Sequence, residues 1–298
     1  MNNRNSTKCV LCGSDNSRVY RLLGGYTIVR CLNDGLIYVN PQPPLNEYRE
    51  FYNTDYFARK DRAGQGYRDY LGERDIHQKN CSKILAKIQK ARPGKGRILD
   101  VGCAFGFFVR CAQEKGWEAF GVDFSDEAAQ WAQRELKVKV FTGSTASCGF
   151  PDAHFDVVCM IGVIEHLLNP LQELEEASRV LKKDGLLCII TVDFDHIIGR
   201  GSLKPPEHLY YFSIATLKKI LTKAGFSIYA HESYSTLYSI QDLITRSFHY
   251  ADKFINNSLL KRAWKQVHTS VNRLAYLLKA QRLPVAFADG QIFMIAKK

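Results

Sequence analysis

The 298-residue chain exceeds a usual single domain, and its content of 46% hydrophobic, 12% aromatic and 24% charged residues suits a globular protein with a sizeable core, which excludes a largely disordered chain. No stretch approaches the roughly 18 apolar residues of a membrane span, and the opening MNNRNSTKCV has no apolar run behind its charges, so a cytoplasmic protein is expected. Net charge is +11, but ten Lys and Arg against three Asp from Ser235 onward put +7 of it in the last 64 residues, which makes the basicity a local surface and not a property of the fold.

Residues 9–40 carry short β-like runs (SRVYRLL, YTIVRC, LIYV) between glycine turns, and NPQPP ends them because it continues neither helix nor paired strand. Within this stretch Cys9-Val-Leu-Cys12-Gly13 and Cys31-Leu-Asn-Asp34-Gly35 share one spacing, each ending on a glycine where the chain turns. They resemble the two knuckles of a zinc ribbon. Three thiolates and a carboxylate can close a tetrahedral site around one structural zinc ion, with Asp34 the unusual ligand. About 35 residues have too little core to fold alone, so metal would supply the missing stability. The plain alternative is a decayed ribbon in which Asp34 is only a turn residue. Cys81, Cys103, Cys111, Cys148, Cys159 and Cys188 are scattered singly through core-like segments and read as reduced thiols, mostly buried.

From Leu45 to Ala91 the pattern is helical, interrupted by ARKDRAGQGYRDY and ended by RPGKG. Strand and helix then alternate: RILDV and a helix from about Phe105; EAFGVD and DEAAQWAQREL; VKVF; FDVVCM and LQELEEASRVL; GLLCIITV and IATLKKILTKA; FSIYAHES. Such alternation means a parallel sheet covered by helices on both faces. QIFMIAKK is expected to add one last strand, antiparallel at the edge, with two inserted helices before it at about 237–282. The expected organisation is therefore 1–44 as a cysteine-rich module, 45–96 as a helical lead-in and 97–298 as an α/β core with that insertion.

ILDVGCAFGFF runs an apolar strand into a Gly-x-x-x-Gly turn that opens a helix, so a ligand can approach the backbone at Gly102 and face helix N-terminal amides. Twenty-one residues on, Asp123 ends the next strand, where its carboxylate can accept from both hydroxyls of a ribose. Ala104 and Phe107 occupy the second and third glycine positions of the dinucleotide fingerprint, which disfavours dinucleotides. The segment resembles motif I of the class I methyltransferases. The likeness continues through FDVVCMIGVIEHL, RVLKKDGLLCIITVD and PPEHLYYFSIATLKKILTKAGF, about residues 97–233.

That resemblance implies a Rossmann-like class I fold with S-adenosylmethionine as cofactor. Asp100, Gly102 and Gly106 would line its methionine side, Asp123 would hold its ribose and residues after the third and fourth strands would flank its adenine, with Cys103, Ala104, Phe124, Ser144 and Met160 as further cofactor contacts. Ala104 and Ser144 stand where many members have glycine and aspartate. Methyl transfer to a hydroxyl also needs a proton taken away, and His166 in VIEHL and His208 in PPEHLYYF follow the fourth and fifth strands, each behind a glutamate. Glu165 with His166 is alternatively a divalent-ion pair, and the plain readings are a loop-ordering helix-start residue for His166 and a helix cap near Ser213 for His208. Tyr67, Tyr70, Tyr210 and Tyr211 are candidates to close over cofactor or acceptor, against a packing role.

Leu260, Trp264, Val267, Val271, Leu274 and Leu278 recur at intervals of four and three, with Lys261, Arg262, Lys265, Arg273 and Lys279 mostly off that stripe. An amphipathic helix is expected, packed on its own core, forming a lid or dimer contact, or meeting a membrane surface; nucleic acid ranks below these because the aromatics follow the apolar face. The expected function is O-methylation of a small molecule, sugar or lipid-linked glycan. An RNA methyltransferase and a silent scaffold that keeps the fold are the alternatives.

Overall fold

The computed structural model describes residues 6–53, 70–196, 199–252, 255 and 257–298. After the strands β1 (Ser17–Leu23), β2 (Tyr26–Cys31) and β3 (Ile37–Val39), two helices follow, α1 (Leu45–Asn53) and α2 (Arg74–Ala91). The alternating region contains β4 (Arg97–Val101), α3 (Phe107–Glu114), β5 (Glu118–Asp123), α4 (Asp126–Trp131), β6 (Lys139–Thr142), β7 (Phe155–Ile161), α5 (Pro170–Val180), β8 (Leu181–Val192), β9 (Tyr210–Tyr211), α6 (Ile214–Lys223) and β10 (Ser227–Ser239). Then come α7 (Ile240–Asp252), α8 (Ser258–Leu277) and β11 (Pro284–Lys297).

The main sheet has the order β10-β11-β8-β7-β4-β5-β6, parallel from β8 to β6. Its strands are buried on both faces, so their sequences are near-continuous apolar runs whose side chains alternate between two cores. In β7, Val157 and Cys159 join the layer under α2, α3 and α4, while Val158 and Met160 join the layer under α5 and α6. Ile189 and Ile190 split the same way. Of the six scattered cysteines, five are buried free thiols and Cys148 is half-buried.

The last strand departs from the expected edge position. β11 lies between β8 and β10, antiparallel to both, and β10 is the edge. The unbroken burial of Ile292 through Ala296 gives the reason: an edge strand alternates in and out, whereas a strand covered on both sides and both faces does not.

At the edge opposite the loops that follow β4, β5 and β7, Asp156 accepts hydrogen bonds from Arg92 Nη2 (2.6 Å), the Arg97 amide (2.8 Å) and Lys182 Nζ (2.9 Å), which hold the beginnings of β4, β7 and β8 together.

A second sheet, β1-β2-β3-β9, joins the cysteine-rich segment to the core, because Tyr210 and Tyr211 pair with Tyr38 and Ile37. Its buried residues, among them Ile28, Leu36 and Tyr38, share one core with α5 and α6. Helices α7 and α8 sit between β10 and β11, where Phe248 packs on Trp264 with ring centroids 4.3 Å apart. Among the described residues no helix is long and apolar enough to cross a membrane.

Candidate functional site

The turn after β4 depends on two glycines. A Cβ at Gly102 would lie 2.5 Å from Val163 Cγ2, a close approach that requires glycine, while Gly106 holds a left-handed φ of 72° and a Cβ there would lie 3.1 Å from both Ala132 Cβ and Val138 Cγ2. The Gly102 and Cys103 amides bond to Val122 O at 2.8 and 3.0 Å. Ala104 takes a left-handed φ of 47° although it carries a side chain, and its amide is held by Asp123 Oδ2 at 2.7 Å. Asp123 Oδ1 accepts from the Ser125 amide at 2.9 Å. An ionised carboxylate offers about four lone-pair sites, so Asp123 keeps about two for incoming hydroxyls.

Two carboxyl groups meet here. Asp100 is buried, and its Oδ1 has no hydrogen-bond partner among the described residues. Burial, reinforced by the charge of Asp123, pushes its pKa well above the ordinary carboxylate range. Burial also raises Asp123, against the pull of the Ser125 and Ala104 amides. The pair therefore favours one negative charge at a time, and a bound cation or donor would tip Asp100 toward ionisation.

Other residues expected at the cofactor divide by environment. Phe124 is 50% exposed beside Asp123, and Ser144 is half-buried in a turn closed by Ser147 Oγ, which accepts from its amide at 2.9 Å. The Gly143 amide bonds Asp123 O at 2.8 Å, so the Ser144 turn lies next to the end of β5. Cys103 and Met160 are both buried: Cys103 Sγ would be 2.6 Å from a Cβ at Gly121, and Met160 lies in the layer under α5 and α6 that also takes in Val163. Tyr70 stacks on His77, with centroids 4.1 Å apart, and on Phe107 at 5.7 Å, which sets it against the start of α3; Tyr67 lies outside the described residues.

Val163, which packs on Gly102, begins the turn that carries Glu165 and His166. The rings of His166 and His208 stand at 89° with centroids 4.7 Å apart, and one ligand atom each from Glu165, His166 and His208 lies within 4.8 Å of the others. Nδ1 of His166 is 2.8 Å from Glu207 O and 2.9 Å from Tyr52 Oη. A carbonyl only accepts, so Nδ1 bears the proton, Tyr52 donates its own proton to Glu207 O at 3.1 Å, and Nε2 keeps the lone pair. His208 is buried, and burial followed by the nearby His166 and Lys204 holds its pKa well below the ordinary imidazole value, so it is neutral. It does not cap α6, because Ser213 and Thr216 form their own capping box there. Tyr210 and Tyr211 are buried by β3 pairing and aromatic packing, away from solvent.

Sequence reasoning missed Tyr48, Tyr52 and Glu207. Tyr48 donates to His166 O and sits one helical turn before Tyr52 on α1. The four-residue spacing in LNEYREFYN was a readable sign of one tyrosine face; that its partner lies 114 residues downstream was not.

The cysteine knuckles close as expected from their spacing. Gly13 and Gly35, at φ 72° and 85°, return their amides to Cys9 O (2.7 Å) and Cys31 O (3.1 Å). Asp34 Oδ2 lies 3.1 Å from Cys9 Sγ and 3.3 Å from Cys31 Sγ, and Cys12 Sγ is 3.6 Å from Cys31 Sγ. Sulfurs bound tetrahedrally to a zinc ion at about 2.3 Å are separated by about 3.8 Å, so the donor set fits that ion. Burial pushes the Cys9 thiol up, and the Asp34 carboxylate raises it further. Burial opposes ionisation of Asp34, but hydrogen bonds from Cys12, the Leu36 amide, Cys9 and Cys31 hold it below its ordinary value. Lys219 and Lys223 of α6 reach Asp34 O and Leu11 O at 3.1 and 2.6 Å, fastening the knuckles to the core.

The chain matches the methyltransferase-domain family over residues 73–231, which takes in the glycine loop, Asp123 and both histidines. It is 31% identical over 134 residues to a Mycolicibacterium smegmatis protein described as a probable S-adenosylmethionine-dependent methyltransferase, covering 44% of this chain and 52% of that one. It is 25% identical over 143 residues to the ubiquinone biosynthesis O-methyltransferase of Saccharophagus degradans, covering 46% and 61%. The matched stretch thus spans about half to three fifths of these relatives' own length. A solved structure of an S-adenosylmethionine-dependent methyltransferase from Archaeoglobus fulgidus is similar in fold, with a TM-score of 0.52 at 20% identity over 77% of this chain and 99% of that one.

Proposed function

This chain belongs to the methyltransferase-domain family, and from that premise we propose that it transfers the methyl group of S-adenosylmethionine to a hydroxyl oxygen of a small molecule, sugar or lipid-linked glycan. The observation that carries the reading is the convergence on one sheet edge of a glycine-held backbone turn, a half-buried Asp123, and two buried carboxyl oxygens, Asp100 Oδ1 and Glu165 Oε2, without partners among the described residues. The cofactor supplies an electrophilic methyl on a sulfonium, and displacement there is in line, so the protein's work is alignment and exclusion of water.

The residues divide that work. Asp123 takes the ribose hydroxyls and, through the Ala104 amide, keeps the glycine loop shaped around the ligand. Asp100 meets the ammonium end, where a positive charge favours its ionised form. His166 is the base: Nδ1–H is committed to Glu207 O and Tyr52, so Nε2 accepts the acceptor's hydroxyl proton as the oxygen attacks. His208, neutral and crosswise to it, orients the ring without competing for the proton.

Cys9, Cys12, Cys31 and Asp34 hold one structural zinc ion. The reading is supported by the 3.6 Å sulfur separation and by a carboxylate set among three thiols that metal would deprotonate. Four protein ligands leave no open position for catalysis at that ion.

The decisive experiment is calorimetric titration of the protein with S-adenosylmethionine and with its demethylated product, alongside Asp123→Ala. Micromolar binding by the wild type, lost in a variant of unchanged melting temperature, is the expected outcome. Absence of binding by folded wild type would sink the enzyme reading and leave a scaffold.

A further inference from the structure

An exposed apolar surface lies far from both the cofactor loop and the cysteine cluster in sequence. Helix α8 buries only one of its 20 residues, Ala275. Of the apolar stripe, Trp264 packs on Phe248 of α7, and His268 and Asn272 share that contact face. The rest of the stripe, Leu260, Val267, Val271, Leu274 and Leu278, remains in solvent, between 37% exposed at Val271 and 67% at Leu278. At 3.6 residues per turn these five fall on one side of the helix, next to the face that meets α7, while the exposed Arg262, Lys265 and Arg273 fall on the other. Contiguous apolar surface of this kind marks an interaction site.

Charge says what covers it. Residues 240–288, which take in both helices, contain eight Lys or Arg against two Asp, and residues 253–288 contain no acidic residue. A two-fold contact between copies of this arm would set a large excess of like charges against each other, with Asp252 and an Asp242 already engaged by Arg246 the acidic groups that could answer it, which disfavours a second copy. RNA binding would use the charges and the exposed Tyr276 beside them but waste the aliphatic stripe, because base stacking needs aromatic faces. A surface that is anionic above and hydrocarbon below satisfies both sides at once, with the Lys and Arg stems reaching outward to the headgroups.

The register places the arm. Gln291 of β11 pairs with Val192, the last residue of β8, so Pro284–Phe287 run on past the end of β8 and pair only with Thr236–Ser239 of β10. This two-stranded ribbon leaves the sheet at the ends of the parallel strands, the edge from which the Gly102, Asp123 and His166 loops also emerge. Asn80 of α2 fastens its base, exchanging two bonds with Leu237 at 2.9 Å.

We infer that the α7–α8 arm docks the protein on an anionic lipid surface, the aliphatic stripe of α8 entering the headgroup boundary and its basic side facing the lipid charges. The inference stands whether or not the methyltransferase reading holds. The test is co-flotation of the purified protein with phosphatidylglycerol–phosphatidylcholine vesicles and with phosphatidylcholine alone, for the wild type, Leu274→Glu/Leu278→Glu and Arg262→Glu/Lys265→Glu/Arg273→Glu. All the substituted side chains are already exposed, so unchanged melting temperatures are expected. The wild type floats with the anionic vesicles, added salt weakens it, and each variant lowers partitioning by at least about tenfold. Failure of the wild type to float overturns the inference, as does flotation that neither variant changes. Light scattering that finds a dimer split by Leu274→Glu/Leu278→Glu, without flotation, assigns the face to a second copy, and salt-sensitive binding of RNA without flotation assigns it to nucleic acid.

Discussion

His77 shows how one side chain ties stability to pH. It packs in a cluster with Tyr70 and Phe107, and burial pushes its pKa down from 6.5 to about 4. A depressed imidazole favours the neutral form in the folded state, so its contribution is complete above about pH 6.5 and is lost as pH falls toward about 4, where both states are protonated. Denaturant titrations across that window are expected to show the wild type losing up to roughly 3 kcal/mol more than His77→Phe, which keeps the stack and removes the proton. His208 is shifted the same way, so the difference between the two proteins is the quantity to read. A superimposable pair of profiles would mean that His77 is solvated. At Ala104 a different local rule is broken: its φ of 47° costs an alanine about 1–2 kcal/mol, a strain carried at the place where its amide meets Asp123.

Elements separate by what covers them. β11 and α8 read alike as apolar sequence, yet Met294 is wholly buried between β8 and β10 while Leu274 is 56% exposed. Met294→Ala should therefore cost about 2–5 kcal/mol in chemical denaturation, and Leu274→Ala less than about 0.5 kcal/mol. Equal costs would show that α8 is packed by a partner in solution. Tyr48 and Tyr52 of helix α1 reach the carbonyl and the ring of His166 from the same side. Its sequence spoke for a helix but not for that destination, because amphipathic spacing reports which residues share a face and nothing about what the face meets.

Across the whole molecule the cysteine cluster and the histidine pair are mechanically linked. The knuckles carry β2 and β3, β3 pairs with β9, and β9 begins two residues after His208. On the zinc reading proposed above, a chelator, or Cys31→Ser, is expected to lower the melting temperature and to cut turnover by about tenfold or more through displacement of the histidine pair, while affinity for S-adenosylmethionine, set by the β4–β5 side, stays near the wild-type value. Equal losses of both would mean that the metal supports the entire core. The alternation of strand and helix, the glycine turn, Asp123 and the knuckle spacing were legible in the sequence, because each is a local pattern of period, backbone freedom or ligand spacing. The interior place of β11, the burial of Cys103 and Met160, the approach of Tyr52 and Glu207 to His166, and the exposure of much of one apolar stripe beside a packed Trp264 were decided only by tertiary structure. Each depends on which distant segment arrives as neighbour, and burial, pairing and tautomer are properties of that neighbour as much as of the residue itself.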